Sequence, residues 1–312
     1  MTWQPIVVGV DGSPESVRAA VLGSVLADTA GTECILVHAA MDYWSSTAMP
    51  TVGVDVAALD EATIGHSRAL VTSALAGRVA EALLESMVIR IGPPAAVLTD
   101  VAREHGAAVI VVGGKHRRGI ARLAGSTVTN LVRLAELPVI ATDGGSGGIQ
   151  RVLVAVDLSH AAAPTIQAAE RLARLFNAEL RVLHVVEPLP AVPSAPLELD
   201  DDEVYRAAEQ QLATSVWPLL TYRDADTTVR RGRTAAVIVD EATQWRADIV
   251  VIGSHGKGWV DRLILGSTSE RLLHVLPTLT MVVPAHRTEE PAVLGAIGLA
   301  ARLEESPVGR VH

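Results

Sequence analysis

Two halves of this chain repeat one another in order, and that repetition constrains the fold more than any single motif. Val7-Val8-Gly9-Val10-Asp11-Gly12-Ser13 is matched by Leu153-Val154-Ala155-Val156-Asp157-Leu158-Ser159, and Ile35-Leu36-Val37-His38 by Arg181-Val182-Leu183-His184. Both pairs lie 146 residues apart (157 − 11 and 184 − 38). Further on, Val109-Ile110-Val111-Val112-Gly113-Gly114, leading to Gly125-Ser126-Thr127, is matched by Ile249-Val250-Val251-Ile252-Gly253-Ser254, leading to Gly266-Ser267-Thr268. Here the separations are 140 and 141 (253 − 113 and 266 − 125). Chance similarity of apolar strands accounts for one such match. Four in the same order, with small length changes, are what a duplicated unit leaves.

Between the copies stands Gly144-Gly145-Ser146-Gly147-Gly148, a flexible-linker composition. It follows one strand and precedes another, so it is a linker and not a phosphate loop. The expected division is a first domain over 1–143, a second over 150–286 and a tail over 287–312.

Within each copy, short β-branched runs alternate with longer stretches rich in alanine and leucine. The pattern predicts strands near 5–10, 33–39, 86–91, 108–113 and 138–142, with helices near 14–29, 56–82, 94–105 and 126–135. The second copy predicts strands near 151–157, 179–186, 226–231, 248–253 and 279–284, and a helix near 203–221. Continuously apolar strands separated by helices imply an α/β fold with a parallel sheet covered on both faces. Two tandem Rossmann-like domains of five parallel strands are therefore expected. In such sheets ligands bind beyond the carboxyl ends of the strands, where strand order reverses. Asp157, His184 and Gly253 all fall at such ends.

Composition narrows the class. A hydrophobic content of 49% supplies ample core. The formal charge of −9 argues against a general binder of nucleic acid or anionic membrane. The single cysteine, Cys34, excludes an internal disulfide and stands among Ile35, Leu36 and Val37 as a core residue. Met1-Thr2-Trp3-Gln4-Pro5 runs directly into a strand, without the charged and apolar regions of a leader. No apolar window reaches the roughly 20 residues that span a bilayer. A cytoplasmic protein with no membrane partner is the expectation.

Glycines expose backbone N–H groups, and a helix start adds more N–H groups and a positive dipole. An apolar strand that breaks into Gly253 and Gly256 and resumes at Gly266-Ser267 can thus cradle phosphate. The spacing Gly253-x2-Gly256-x9-Gly266-Ser267, joined to the strand-ending Asp157, resembles the nucleotide-binding signature of the universal stress protein family. The resemblance extends from about residue 4 to residue 285, as two tandem domains of the adenine nucleotide α-hydrolase-like fold.

That resemblance implies an adenine nucleotide, ATP with Mg²⁺ held mainly through its phosphates, as ligand of the second copy. Asp157 would meet the adenine or ribose end, with backbone at Ala155, Val185 and Ile252 lining the base. Gly253, Gly256, Gly266, Ser267 and Thr268 would hold ribose and phosphates, Ser267 also capping its helix. The bland alternative makes Asp157 a turn or cap residue ahead of Ser159 and His160. The resemblance further implies that the two domains pair through their last strands about a two-fold axis. A homodimer of the whole chain is a further expectation.

The first copy departs from the pattern. His116 stands at the second glycine position, and only eight residues separate it from Gly125. The loop is basic, with Lys115, Arg117, Arg118 and Arg122; it either holds a different anion or forms a solvated surface. The first domain is expected to carry a degenerate motif although Asp11 remains. His38 and His184 end equivalent strands, with no second ligand at metal spacing beside them, and are expected to be structural. His255 and Lys257 either reach phosphate or point to water. The acidic run Asp200-Asp201-Asp202-Glu203 favours a helix start. The loops 43–53 and 187–196 read as lids or interface segments. The tail over 292–305 reads as an extra docking helix or a frayed end.

Three functions compete. The first is an ATP-binding regulator of stress response. The second is a dimerisation scaffold of the same family that binds no nucleotide. The third, an adenine-binding enzyme, lacks an HxGH pair, an SGGxDS loop, a Walker loop and any placed base–nucleophile pair. No catalytic or metal-ligating residue is assigned, and at most slow hydrolysis is expected. The stress signal and protein partners are not legible.

Overall fold

Strands that are apolar at every position need cover on both faces, and helices supply it here. In the computed structural model, which describes residues 3–41, 56–114, 126–142, 148–188, 201–254, 265–275 and 277–285, the two halves follow one plan. The first half runs β1 (Ile6–Gly9), α1 (Pro14–Ala30), β2 (Cys34–Ala40), α2 (Val56–Leu75), the short α3 (Glu81–Glu85), β3 (Val88–Ile91), α4 (Pro94–Glu104), β4 (Val109–Gly113), α5 (Ser126–Leu134) and β5 (Val139–Thr142). The second runs β6 (Arg151–Ala155), α6 (Ala162–Phe176), β7 (Glu179–Val186), α7 (Asp201–Ser215), a 3₁₀ turn at Trp217–Leu219, β8 (Asp226–Arg231), α8 (Thr234–Gln244), β9 (Ile249–Gly253), α9 (Ser267–Val275) and β10 (Leu279–Val283).

The ten strands form one sheet in the order β3-β2-β1-β4-β5-β10-β9-β6-β7-β8. Every neighbouring pair is parallel except β5 and β10, which run antiparallel with Val139 opposite Val282, Ile140 opposite Met281 and Ala141 opposite Thr280. Antiparallel pairing of equivalent strands is what a local two-fold axis between the copies requires. The side chains of β1 show how both faces are used. Ile6 and Val8 join the layer under α1, Val7 the layer under α4, and all three are fully buried. Across the seam α1 touches α6, and the Arg171 guanidinium lies over the Trp3 ring at 4.6 Å.

Local chemistry sets the helix ends. Ser13 caps α1 by accepting from Ser16 N–H, Pro14 opens it, and Gly31 closes it in the left-handed region at φ 63°. The helix expected over 56–82 breaks in two because Gly77 (φ 69°) leaves helical geometry after Leu75. The helix expected over 203–221 starts at Asp201, with Asp201, Asp202 and Glu203 in its first turn. It stops at Ser215 ahead of Pro218, which has no N–H to continue it.

Inside α1, Gly23 is a contact requirement. A Cβ there would lie 2.3 Å from Val8 Cγ2. Gly23→Ala gains about 1 kcal/mol of helix propensity, yet it must push α1 off β1. A net loss of about 1–3 kcal/mol is expected, and chemical denaturation with an unchanged m-value would measure it. A stabilised variant would mean that Val8 yields freely.

Among the described residues, no helix is long and apolar enough to cross a membrane.

Candidate functional site

In each copy strand order reverses between the first strand and the fourth, because the chain leaves the first strand toward one edge and returns to build the other. In the second copy that point lies between β6 and β9, which pair with Ala155 opposite Ile252. Beyond their carboxyl ends stand Val156 and Asp157 on one side and Gly253 and Ser254 on the other. Val185 sits one strand further, on β7, where Val156 N–H donates to Leu183 O at 2.9 Å. His184 donates from Nδ1 to Val156 O at 2.8 Å, as His38 does to Val10 O at 2.7 Å. Both histidines pin the end of the first strand to the second, a structural role repeated in both copies.

Asp157 begins the turn into α6. Its Oδ1 accepts from Ser159 N–H at 3.0 Å and Ser159 Oγ at 2.5 Å, and Ser159 Oγ in turn accepts from Ala161 N–H at 3.2 Å. Asp11 does the same with Ser13, at 2.9 and 2.5 Å. One carboxylate oxygen therefore serves the turn in both copies.

The start of α9 is drawn to this place by hydrogen bonds. Gly266 N–H donates to Ser254 O at 2.9 Å, and Ser254 N–H to Val283 O at 2.8 Å. Gly266 O accepts from Glu270 N–H at 2.9 Å, so Gly266 is the residue from which the helix springs. The Gly266 N–H is engaged by the fold. One expectation changes. Ser267 is the first helical residue and exposed, so it does not cap the helix; glycine stands at the cap.

A glycine cap matters because it has no side chain to fold back over the first turn. The first N–H groups of a helix have no intrahelical acceptor, and in α9 these belong to Ser267, Thr268 and Ser269. The neighbouring helix start is covered differently. Glu187, at the end of β7, accepts at Oε1 from Thr234 N–H at 2.8 Å and Thr234 Oγ at 2.6 Å. Those two bonds, with the charges of Arg271 and Arg233, outweigh desolvation and hold the Glu187 carboxyl below the usual carboxylate range. The start of α8 thus carries its own anion, whereas the cap of α9 is a glycine without a side chain.

The structure brings together Ala155, Asp157, Ile252, Gly253, Gly266, Ser267 and Thr268, with Val185 beside them. Gly256, His255 and Lys257 lie outside the described residues, as do Lys115, His116, Arg117, Arg118, Arg122 and Gly125 of the first copy, most of the loops 43–53 and 187–196, and the tail. In the first copy, a Cβ on Gly113 would stand 2.7 Å from the Glu15 carbonyl carbon and 2.8 Å from Ser16 N. The first turn of α1 therefore lies directly against the end of β4. Sequence reasoning passed over Ser254, Ser269 and Glu187. Comparing the copies residue by residue signals the first two, since Gly114 and Val128 stand in their places.

Cys34 is 8% exposed and burial pushes its thiol up to about 11, which leaves it unreactive. Among the described residues no cluster of three His, Cys, Asp or Glu side chains is arranged for a metal ion.

Two parallel α/β units in tandem, each with a strand-end crevice where strand order reverses, define a doubly wound protein of the Rossmann-like class. The profile of the universal stress protein family matches residues 2–142 and again 148–284, and the chain belongs to that family. It is 29% identical to the universal stress protein Rv2005c of Mycobacterium tuberculosis over 285 residues, which cover 86% of this chain and 93% of that one. It is 30% identical to a universal stress protein of Mycolicibacterium smegmatis over 163 residues, 48% of this chain and 55% of that relative's length. A universal stress protein crystal structure from Archaeoglobus fulgidus shares the fold, with a TM-score of 0.60 at 18% identity, over 90% of this chain and 98% of that one. A universal stress protein solved in complex with cAMP matches 45% of this chain and 99% of that one, at 20% identity and a TM-score of 0.30.

Proposed function

We propose that the chain is an ATP-binding regulator of stress response that holds one nucleotide in its second domain. The observation that carries this reading is the first turn of α9, set on a glycine cap, Gly266, beside the ends of β6 and β9. Phosphates would lie against the N–H groups of Ser267 and Thr268, helped by Gly253, Gly256 and the helix dipole. Base and ribose would lie between Ala155, Val185 and Ile252, with Asp157 at their edge. Mg²⁺ would bind through the phosphates. The domain limits are taken as 1–143 and 150–286, with a tail over 287–312 and the degenerate motif in the first domain. The protein works in the cytoplasm, forms a homodimer and engages other proteins, without nucleic acid or membrane. Its role is binding, with at most slow hydrolysis.

One observation favours the scaffold reading. The Gly266 N–H and one oxygen of Asp157 are satisfied within the fold, as turn residues alone would be. Calorimetric titration of ATP with Mg²⁺ into nucleotide-stripped protein separates the two. The expected result is one site per chain, weakened roughly tenfold by Asp157→Ala and left unchanged by Asp11→Ala. A second site, or equal losses from both variants, would move binding to the first domain as well. Absence of binding would leave the scaffold.

A further inference from the structure

Two hydroxyls tie down the end of β9 in the second copy, and the first copy has neither. Ser269, the third residue of α9 and 5% exposed, donates from Oγ to the Gly253 carbonyl at 2.7 Å. Ser254, 2% exposed, accepts at Oγ from Ala285 N–H at 3.1 Å, and its own carbonyl receives Gly266 N–H at 2.9 Å. Consecutive carbonyls at the strand end, those of Gly253 and Ser254, thus each hold one residue of the first turn of α9 or its cap. A serine is costly to bury unless its hydroxyl is bonded, and this one is spent on joining helix to strand.

At the corresponding positions the first copy carries Gly114 and Val128 (254 − 114 and 269 − 128 give the separations of 140 and 141). Val128 is 3% exposed and packs in the apolar layer with Leu131 and Val139. The place of Ser269 is therefore filled in the first copy by a side chain of similar size without a donor. The helix can pack there, but nothing holds its first turn to the Gly113 carbonyl through a side chain at that position.

We infer that Ser269, supported by Ser254, is a positioning residue for the anionic part of the ligand in the second domain. By holding Gly253 O it sets the distance and angle between the first turn of α9 and the end of β9. The N–H groups of Ser267 and Thr268 then face the crevice before a ligand arrives. Donors ordered in advance bind an anion more tightly, because the ordering cost is not met on binding. The inference rests on the nucleotide reading above, and it supplies a reason, independent of the glycine spacing, for the second domain to bind more tightly than the first.

Threonine and valine are alike in shape and differ by a hydroxyl against a methyl, so Ser269→Thr and Ser269→Val isolate the bond. ATP with Mg²⁺ is titrated calorimetrically into the nucleotide-free full chain, with the thermal midpoint read alongside. Ser269→Thr is expected to bind as the unmodified chain does, and Ser269→Val roughly tenfold more weakly. A purely structural serine would lower the midpoint of Ser269→Val and leave its affinity equal to that of Ser269→Thr; that result overturns the inference. If Ser269→Val does not fold, Ser254→Gly, which installs the residue of the first copy, carries the same expectation and the same overturning result. Failure of the unmodified chain to bind ATP overturns the nucleotide reading and this inference together, so the two failures are distinguished.

Discussion

Glu170→Ala is expected to cost about 3 kcal/mol and to lower the midpoint of thermal unfolding by about 10 °C. Glu170 lies on α6, 2% exposed, and its carboxylate is the acceptor for an entire turn. Oε1 accepts from Thr221 N–H at 2.5 Å and Tyr222 N–H at 2.8 Å. Oε2 accepts from Thr221 Oγ and from Arg174 Nη2, the latter at 3.0 Å. The segment between the 3₁₀ turn and β8 is fastened to α6 through this side chain and through Arg174, whose Nη2 also donates to Thr221 Oγ at 2.7 Å, and Tyr222 adds a bond from its hydroxyl to Ala178 O at 2.7 Å. Alanine would take away the acceptor of the Thr221 and Tyr222 N–H groups. Glutamine keeps the volume but turns an amide group against a donor, so Glu170→Gln should fall between alanine and the unmodified chain.

The same carboxylate makes part of the stability pH-dependent. Burial raises its pKa, but the bonds from Thr221 and Tyr222, with Arg174, outweigh burial and leave it below the usual glutamate value. A depressed folded pKa contributes stability that is present above the unfolded value of about 4.3 and is lost as pH falls through the folded one. The gap between the unmodified chain and Glu170→Gln should therefore be constant near neutral pH and narrow below about pH 4. Denaturant titrations at several pH values measure this. A gap that persists unchanged into acid would mean that packing, and not the ionised carboxylate, carries the effect.

Much of this fold was legible because burial on both faces leaves a plain mark. Ile6, Val7 and Val8, or Ile249 to Ile252, can be apolar at every position only in a covered sheet, and the expected strands lie within a few residues of those found. Helix lengths were less legible. Alanine and leucine continue past Leu75, and only the left-handed Gly77 ends the helix there. The antiparallel meeting of β5 and β10 was expected from family resemblance alone. A continuously apolar strand reads the same whether its neighbour runs with it or against it. At the site, glycines and Asp157 stood out by spacing, whereas Ser269 is one hydroxyl in a run of polar residues and carries no period. Its partner is the carbonyl of Gly253, sixteen residues earlier in the chain, a relation that only folding creates.

The seam between the copies should respond to Ile140→Asp more strongly than any exposed position nearby. Ile140 is fully buried and stands opposite Met281, itself 3% exposed, at the junction of β5 and β10. Losing the isoleucine side chain costs about 2–5 kcal/mol, and a carboxylate at a dry seam adds a desolvation penalty of a further few kcal/mol. Leu134→Asp, at a residue 47% exposed on the last turn of α5, is the control and should change stability by no more than about 0.5 kcal/mol. Because β10 continues into the sheet of the second domain, damage at Ile140 should not stay in the first. Native-state hydrogen exchange is expected to show the amides of β5 and β10 losing protection together, ahead of β2 and β7. The start of α9, tied to β9 and to the end of β10 through Ser254, should loosen with them. Loss of protection confined to β5 would show two independently stable domains that merely touch. Joint loss would make the seam a route by which the two domains influence one another.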